Sequence, residues 1–133
     1  MRTRIIVGIA VVIAVLGVGA LASRAGDVTA TRQWTIVNFP DPVQVKGQII
    51  MGPVLIIHDS EKMSRGQACT TFYRFDPAKG PKEELVSFHC IPQPKAAVPE
   101  TTFSYVDTQN ISCKRLVAYQ IAGDPEAHGV PTK

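Results

Sequence analysis

Two hydrophobic patterns follow one another along this chain. Residues 5–22 form one run without a charged or polar side chain, preceded by a short basic head that contains Arg2 and Arg4. From residue 33 onward, apolar residues come in short stretches rich in β-branched and aromatic side chains, separated by proline, glycine and charged positions. These short stretches predict β-strands, because alternate residues of a strand point to opposite faces of a sheet.

The second pattern predicts seven or eight short strands. They cover residues 33–39, 43–45, 48–51, 54–58, 69–75, 85–91, 101–107 and 113–122. Pro40-Asp41-Pro42 and Gly52-Pro53 are expected to end strands, since proline cannot donate to a ladder. Residues 59–66 predict either one helical turn capped by Asp59 or Ser60 or a polar loop. We therefore expect an all-β fold, a small sandwich or barrel.

The first pattern predicts an N-terminal apolar helix, either a cleaved export signal or a membrane anchor. Small residues before Ser23 and before Gly26 offer two cleavage sites, whereas the length of the run suits an anchor. In both cases the remaining chain is exported across the inner membrane. It would be periplasmic or secreted after cleavage, or held at the membrane by residues 5–22 without it.

The expected domain organisation follows from these two patterns. Residues 1–25 are the signal peptide or anchor, residues 26–122 are a single β domain, and residues 123–133 are a loose tail. The tail is expected to be irregular because Pro125, Gly129 and Pro131 disfavour regular structure.

Charge and motifs exclude several classes of function. The formal net charge is +3, and without Arg2 and Arg4 there are 12 basic residues against 11 acidic ones. The absence of a lysine or arginine run excludes a nucleic-acid groove. The chain also lacks a nucleophile elbow, a phosphate loop and a Cys-x-x-Cys motif. These features favour a binding or structural accessory domain, acting with a protein partner, over an enzyme.

The candidate chemistry lies in three cysteines and three histidines, which are Cys69, Cys90, Cys113, His58, His89 and His128. In an oxidising compartment, cysteines on neighbouring strands pair as disulfides more often than they bind metal. If Phe72 pairs with Ser87 in a hairpin, Cys69 lies directly opposite Cys90. We therefore predict a Cys69–Cys90 disulfide, with Cys113 as a buried free thiol or an intermolecular link.

A metal or redox-thiol site is the alternative interpretation. Its candidate ligands are His58, Met63, Cys69 and one of His89 or Cys90, a soft nitrogen and sulfur set suited to copper or zinc. His89 and Cys90 cannot both reach one ion without a bulge, because successive strand residues point to opposite faces. Under this interpretation the chain is a periplasmic transition-metal or redox-thiol protein, with His58, Cys69 and Cys90 as the metal ligands.

One segment resembles a known group of proteins. Residues 38–57 contain Pro42-Val43-Gln44-Val45-Lys46-Gly47, then an apolar strand, a glycine turn and a second strand. This order resembles the opening of uncharacterised small exported bacterial β proteins, which have a Pro-Val-x-Val-x-Gly segment followed by the same elements. Met51-Gly52-Pro53 stands where those proteins often have Pro-Ala-Gly. The resemblance implies bacterial export and β architecture, and it carries over no functional residue.

Overall fold

The computed structural model describes residues 32–109 and 113–132. These residues form strands β1 (Arg32–Val45), β2 (Gln48–Asp59), β3 (Thr70–Asp76), β4 (Gly80–Phe88), β5 (Ile91–Pro94), β6 (Thr102–Asp107), β7 (Lys114–Gln120) and β8 (Glu126–Gly129), and helix α1 (Ser60–Ser64). The predicted all-β class is confirmed. The predicted apolar helix and its cleavage sites lie outside the described residues. Within the described part of the chain, no helix has the length and hydropathy needed to cross a bilayer.

The eight strands form one open sheet instead of the expected sandwich or barrel. Their order is β4-β3-β2-β1-β7-β8-β5, and β6 pairs with β7. Strand β7 has three partners. Strand β6 pairs with it along one edge, and on the other edge β1 pairs with its first residues and β8 with its last ones. The β1–β7 pairing is parallel, whereas the other pairings within the described residues are antiparallel. Strand β7 therefore joins the first four strands to the last ones.

Strands β1 and β2 continue through the positions at which the sequence predicted breaks. A register shift between Phe39 and Val43 leaves residues 40–42 out of the ladder, so the two prolines are accommodated in a bulge. Gly52 takes a φ of 92° and still pairs with Phe39. The two strands are joined at Lys46 and Gly47, which both have positive φ, as a tight hairpin turn requires. The predicted breaks at 40–42 and 52–53 were therefore wrong.

The core lies on one face of β1 to β4 and against β7. Its buried hydrophobic members are Phe39, Val43, Val45, Ile50, Val54, Ile56, Cys69, Phe72, Val86, Phe88, Cys90, Leu116, Tyr119, Ile121 and Val130. Ile50, Val54 and Ile56 of β2 enter this core, and Leu55 is also buried, so β2 is the apolar strand that the sequence predicted over 54–58. Two of the three cysteines therefore belong to the packed core of the sheet.

The C-terminal segment is part of this sheet, although the sequence predicted a loose tail. Strand β8 lies between β7 and β5, and its residues Ala127, His128 and Gly129 are buried. A Cβ atom on Gly129 would lie 3.1 Å from Cβ of Ile91 in β5, so the close approach of the two strands favours glycine. The glycine that suggested irregular structure is instead the residue that allows this strand to be buried.

Candidate metal centre

Three elements and two connecting segments bring five side chains together around the sulfur of Cys90. His58 comes from the end of β2, Met63 from α1, Cys69 from the residue before β3, Cys90 from the segment between β4 and β5, and His128 from β8. The two cysteines and two histidines are each at most 2% exposed, and Met63 is half-buried. The arrangement is therefore closed to solvent on most sides.

The sulfur of Cys90 is the centre of this group. Its nearest potential ligand atoms are Cys69 Sγ at 3.1 Å, His58 Nε2 at 3.4 Å, His128 Nδ1 at 3.5 Å and Met63 Sδ at 3.7 Å. The ligand atoms of His58, Cys69 and Cys90 all lie within 4.8 Å of one another. A tetrahedral metal site has bonds of about 2.3 Å to sulfur and about 2.0–2.1 Å to nitrogen. In such a site a sulfur ligand and a nitrogen ligand are about 3.5 Å apart. The two Cys90–histidine distances therefore match the spacing of a sulfur and a nitrogen ligand on one ion, and among the described residues His58, Cys69 and Cys90 form the set in which all ligand atoms are mutually close.

The register of the β3–β4 hairpin differs from the prediction by one residue. Thr71 pairs with Ser87, so the expected pairing of Phe72 with Ser87 was wrong. The ladder ends at the Thr70–Phe88 pair, and beyond it the Cys69 N–H donates to the Phe88 carbonyl at 3.1 Å.

Beyond this ladder, His89 is exposed and Cys90 is buried, as the opposite orientation of successive residues predicts. Of these two candidate ligands, only Cys90 joins the described cluster. Cys69 and Cys90 are free thiols here, and the disulfide stays a prediction.

Helix α1 is positioned by the residue that follows His58. The Asp59 Oδ1 atom accepts hydrogen bonds from the N–H groups of Glu61 and Lys62 at 3.0 and 3.2 Å, which caps the helix as predicted. The helix therefore begins directly after β2 and carries Met63 over the cluster. The contact of its thioether with Cys90 is thus a consequence of a local capping signal.

The orientation of His128 is set by a buried carboxylate. The Nε2 atom of His128 lies 2.8 Å from Oδ2 of Asp124, which is also buried. A proton on Nε2 donated to this carboxylate leaves the lone pair of Nδ1 directed at Cys90. Metal-binding histidines commonly have such a carboxylate on their second ring nitrogen. Tyr119 packs on the same imidazole with ring centroids 5.1 Å apart, and its hydroxyl is hydrogen-bonded to Thr70.

The electrostatics of the cluster favour neutral groups in the absence of metal. Burial, and then the neighbouring His128 at a ring-centroid distance of 4.0 Å, lower the pKa of His58 from 6.5 to about 4. Burial, together with the hydrogen bond to Cys69, raises the pKa of the Cys90 thiol well above its usual range. His58 Nδ1 is buried, and no hydrogen-bond partner for it lies among the described residues. At neutral pH, His58 is therefore a neutral imidazole whose Nε2 contacts Cys90 and whose Nδ1 has no hydrogen-bond partner among the described residues.

Sequence reasoning missed His128 and Asp124 because it placed both in a loose tail. A signal for them exists, since His128 lies between Ala127 and Gly129, two small residues that allow a strand to be buried. Cys113 is buried and free but does not belong to the cluster found among the described residues; its Sγ contacts the Lys114 carbonyl at 3.7 Å.

Comparisons with known proteins were made at three levels. No protein-family model, no curated protein and no solved structure matches this chain. The candidate centre is therefore interpreted from its own geometry and chemistry.

Proposed function

We propose that the protein binds one copper ion at the buried cluster, outside the inner membrane. The ligands are Cys69 Sγ, Cys90 Sγ, His58 Nε2 and His128 Nδ1, with Met63 Sδ as a more distant fifth donor. The observation that carries the proposal is that four potential donor atoms lie 3.1–3.7 Å from Cys90 Sγ. They belong to Cys69, His58, His128 and Met63. Buried polar side chains are normally explained by hydrogen bonds. Here four potential ligands, from four separate segments of the chain, surround the sulfur of Cys90.

Met63 is the donor that favours copper over zinc. Two thiolates and two imidazoles are a ligand set that structural zinc sites also use, whereas a thioether is a soft donor that suits copper(I). The contact between the Met63 thioether and Cys90 therefore supports copper.

The protonation states of the free protein support metal binding at neutral pH. Histidine binds a metal as neutral imidazole, and the lowered pKa of His58 keeps it neutral down to about pH 4. The thiols must each lose a proton when the ion enters, because thiolate is the ligand form. Two thiolates and a copper(I) ion leave a net charge of only −1 in the core, so metal binding limits the cost of burying the thiolates.

The closed ligand set favours holding an ion over catalysis. A catalytic metal keeps a coordination position open for water or substrate, whereas this cluster supplies four or five protein donors. We therefore propose that the protein carries or stores copper and does not catalyse a reaction at it, and that a protein partner is the source or recipient of the metal.

Anaerobic copper(I) titration against a chromophoric chelator tests the proposal. The full protein should bind one equivalent, and Cys90→Ser should weaken binding by at least about 100-fold, because a hydroxyl is a poor ligand for a soft ion. Cys113→Ser is the matched control and should bind as the wild type does. Equal affinity of Cys90→Ser and wild type would overturn the proposal.

The choice of copper has its own test in Met63→Leu. This substitution keeps the volume and removes the thioether. Copper(I) affinity should fall by about tenfold, while zinc affinity stays unchanged, because thioether sulfur is a soft donor. Unchanged copper affinity would remove the argument against zinc.

A thiol-redox function is the second candidate, favoured by the 3.1 Å contact of the Cys69 and Cys90 sulfurs. The Cys90 N–H also donates to Cys69 Sγ at 3.2 Å, which stabilises negative charge on that sulfur. Quantifying free thiols in protein isolated without reductant tests it. Blocking of two of the three thiols supports the disulfide, whereas three free thiols contradict it.

A further inference from the structure

We propose that the Cys69–Cys90 pair is a redox gate for the metal site, so that the dithiol form binds copper(I) and the disulfide form excludes it. This inference rests on the proposed function and adds its regulation. The two sulfur atoms that a copper ion would require are the same two that would form the disulfide. A sulfur engaged in a disulfide is no longer a thiolate ligand, so the two states exclude each other.

The observed spacing of the two sulfurs lies between those of the two states. A disulfide requires about 2.05 Å between sulfurs, whereas two thiolates on a tetrahedral metal are about 3.8 Å apart. The Cys69 and Cys90 sulfurs are 3.1 Å apart. Either state is therefore reached by a change of about 1 Å or less in this separation.

The two cysteines lie outside the strands, whereas the histidines lie within them. Cys69 precedes β3, with its N–H and C=O hydrogen-bonded to Phe88 and Asp59, and Cys90 lies between β4 and β5. A change in the sulfur separation therefore requires rotation of the side chains and no movement of the backbone. His58 and His128 lie within strands and are paired on both sides. A small shift of the two sulfurs therefore needs no change in strand pairing, and the imidazoles remain as a fixed half of the site.

The sulfur of Cys69 is the one at which oxidation of the pair would begin. Cys69 borders a surface cleft together with Asp59, Lys62 and Tyr73, although the residue itself is only 2% exposed. After a local opening exposes Cys69 to this cleft, its thiolate attacks a small-molecule disulfide, which releases one small thiol and forms a mixed disulfide. The Cys90 sulfur then displaces the second small thiol. The protein loses two electrons and two protons, and the small disulfide is reduced to two thiols.

Oxidation should release copper because it removes the softest donors. The oxidised site keeps only the two imidazoles and the distant thioether, so copper(I) affinity should fall by at least about 100-fold. The reverse also follows from linkage: bound copper(I) should slow disulfide formation, since it stabilises only the dithiol state.

The experiment uses the full protein with Cys113→Ser, which leaves one pair of thiols. The protein is oxidised with oxidised glutathione, and an intramolecular disulfide is verified by intact mass and by the loss of both free thiols. Copper(I) affinity is then measured anaerobically for the reduced form, the oxidised form and the form reduced again with dithiothreitol and desalted.

The outcomes separate the two proposals. Copper binding by the reduced form, at least about 100-fold weaker binding after oxidation and full recovery after reduction support the gate. If the reduced form binds no copper, the proposed function fails. If the reduced form binds copper but no intramolecular disulfide forms, or the oxidised form binds equally well, only the redox gate fails.

Discussion

Replacement of Asp124 by asparagine probes the centre through a residue that is not itself a ligand. The two carboxylate oxygens of Asp124 have different partners, since Oδ2 lies 2.8 Å from His128 Nε2 and Oδ1 accepts the Glu126 N–H at 3.0 Å. Asparagine has the same shape but only one acceptor oxygen. One of these two hydrogen bonds must therefore be lost or reversed in Asp124→Asn.

Each arrangement of the asparagine has a calculable cost. If its oxygen turns to His128, the Glu126 N–H loses its acceptor, which costs about 1–3 kcal/mol of stability if the group is buried. If its oxygen stays on Glu126, its NH₂ group faces Nε2, so the ring proton moves to Nδ1 and blocks the lone pair directed at Cys90. Loss of such a carboxylate typically weakens metal binding by about 10–100-fold, which equals about 1.4–2.8 kcal/mol.

Copper(I) competition at neutral pH measures the predicted loss, and urea denaturation establishes that the variant is folded. Asp107→Asn is the control, because Asp107 is an exposed carboxylate whose ion pair with Lys114 lies outside the cluster. The double variant Asp124→Asn/His128→Ala should bind no more weakly than His128→Ala alone, since Asp124 acts through that imidazole. An affinity of folded Asp124→Asn within about twofold of wild type would refute this reasoning.

Three further predictions concern stability and processing. The pKa of His58 is lowered from 6.5 to about 4, so over this pH range the unfolded chain takes up a proton that the folded protein does not. The free energy of unfolding of the metal-free protein should therefore fall by up to about 3 kcal/mol as the pH falls from 6.5 to 4. A urea midpoint that does not change over this range would contradict the prediction. Tyr119→Phe leaves the buried Thr70 hydroxyl without its present partner and should lower the free energy of unfolding by about 1–3 kcal/mol. Unchanged stability would contradict this prediction and show that the hydroxyl finds another partner. Intact-mass analysis of an osmotic-shock fraction should show a mature chain that begins at Ser23 or Gly26, whereas residues 1–22 retained in a membrane fraction would establish the anchor.

Local patterns predicted most strands because strand periodicity is written in neighbouring residues. The predicted stretches 54–58 and 113–122 fall on β2 and β7, although burial does not alternate strictly in either strand. Proline and glycine were misleading where long-range pairing outweighed local preference. Residues 40–42 are accommodated by a bulge, and Gly129 allows β5 and β8 to approach closely.

The candidate site was predictable only in part. Residue type predicted His58, Met63, Cys69 and one of His89 or Cys90 as candidate ligands, and the capping of α1 by Asp59 follows from a local rule. The order of the strands could not be predicted, because a sheet can join the same strands in several ways with similar local patterns. A shift of one residue in register changes which residues of two strands pair. Local patterns therefore could not distinguish the expected Phe72–Ser87 pairing from the observed Thr71–Ser87 pairing.

The sequence by itself determined the β class of the described chain, the positions of its thiols and imidazoles, and the opposite orientations of His89 and Cys90. Only the tertiary structure brought His128 and Asp124 to the cysteines, because strand β8 lies beside β7 and β5 in the sheet. The physical reason is that a binding site depends on distances of a few ångströms between segments far apart in the chain. Those distances follow from the pairing and packing of whole strands, which a local pattern of residues does not encode.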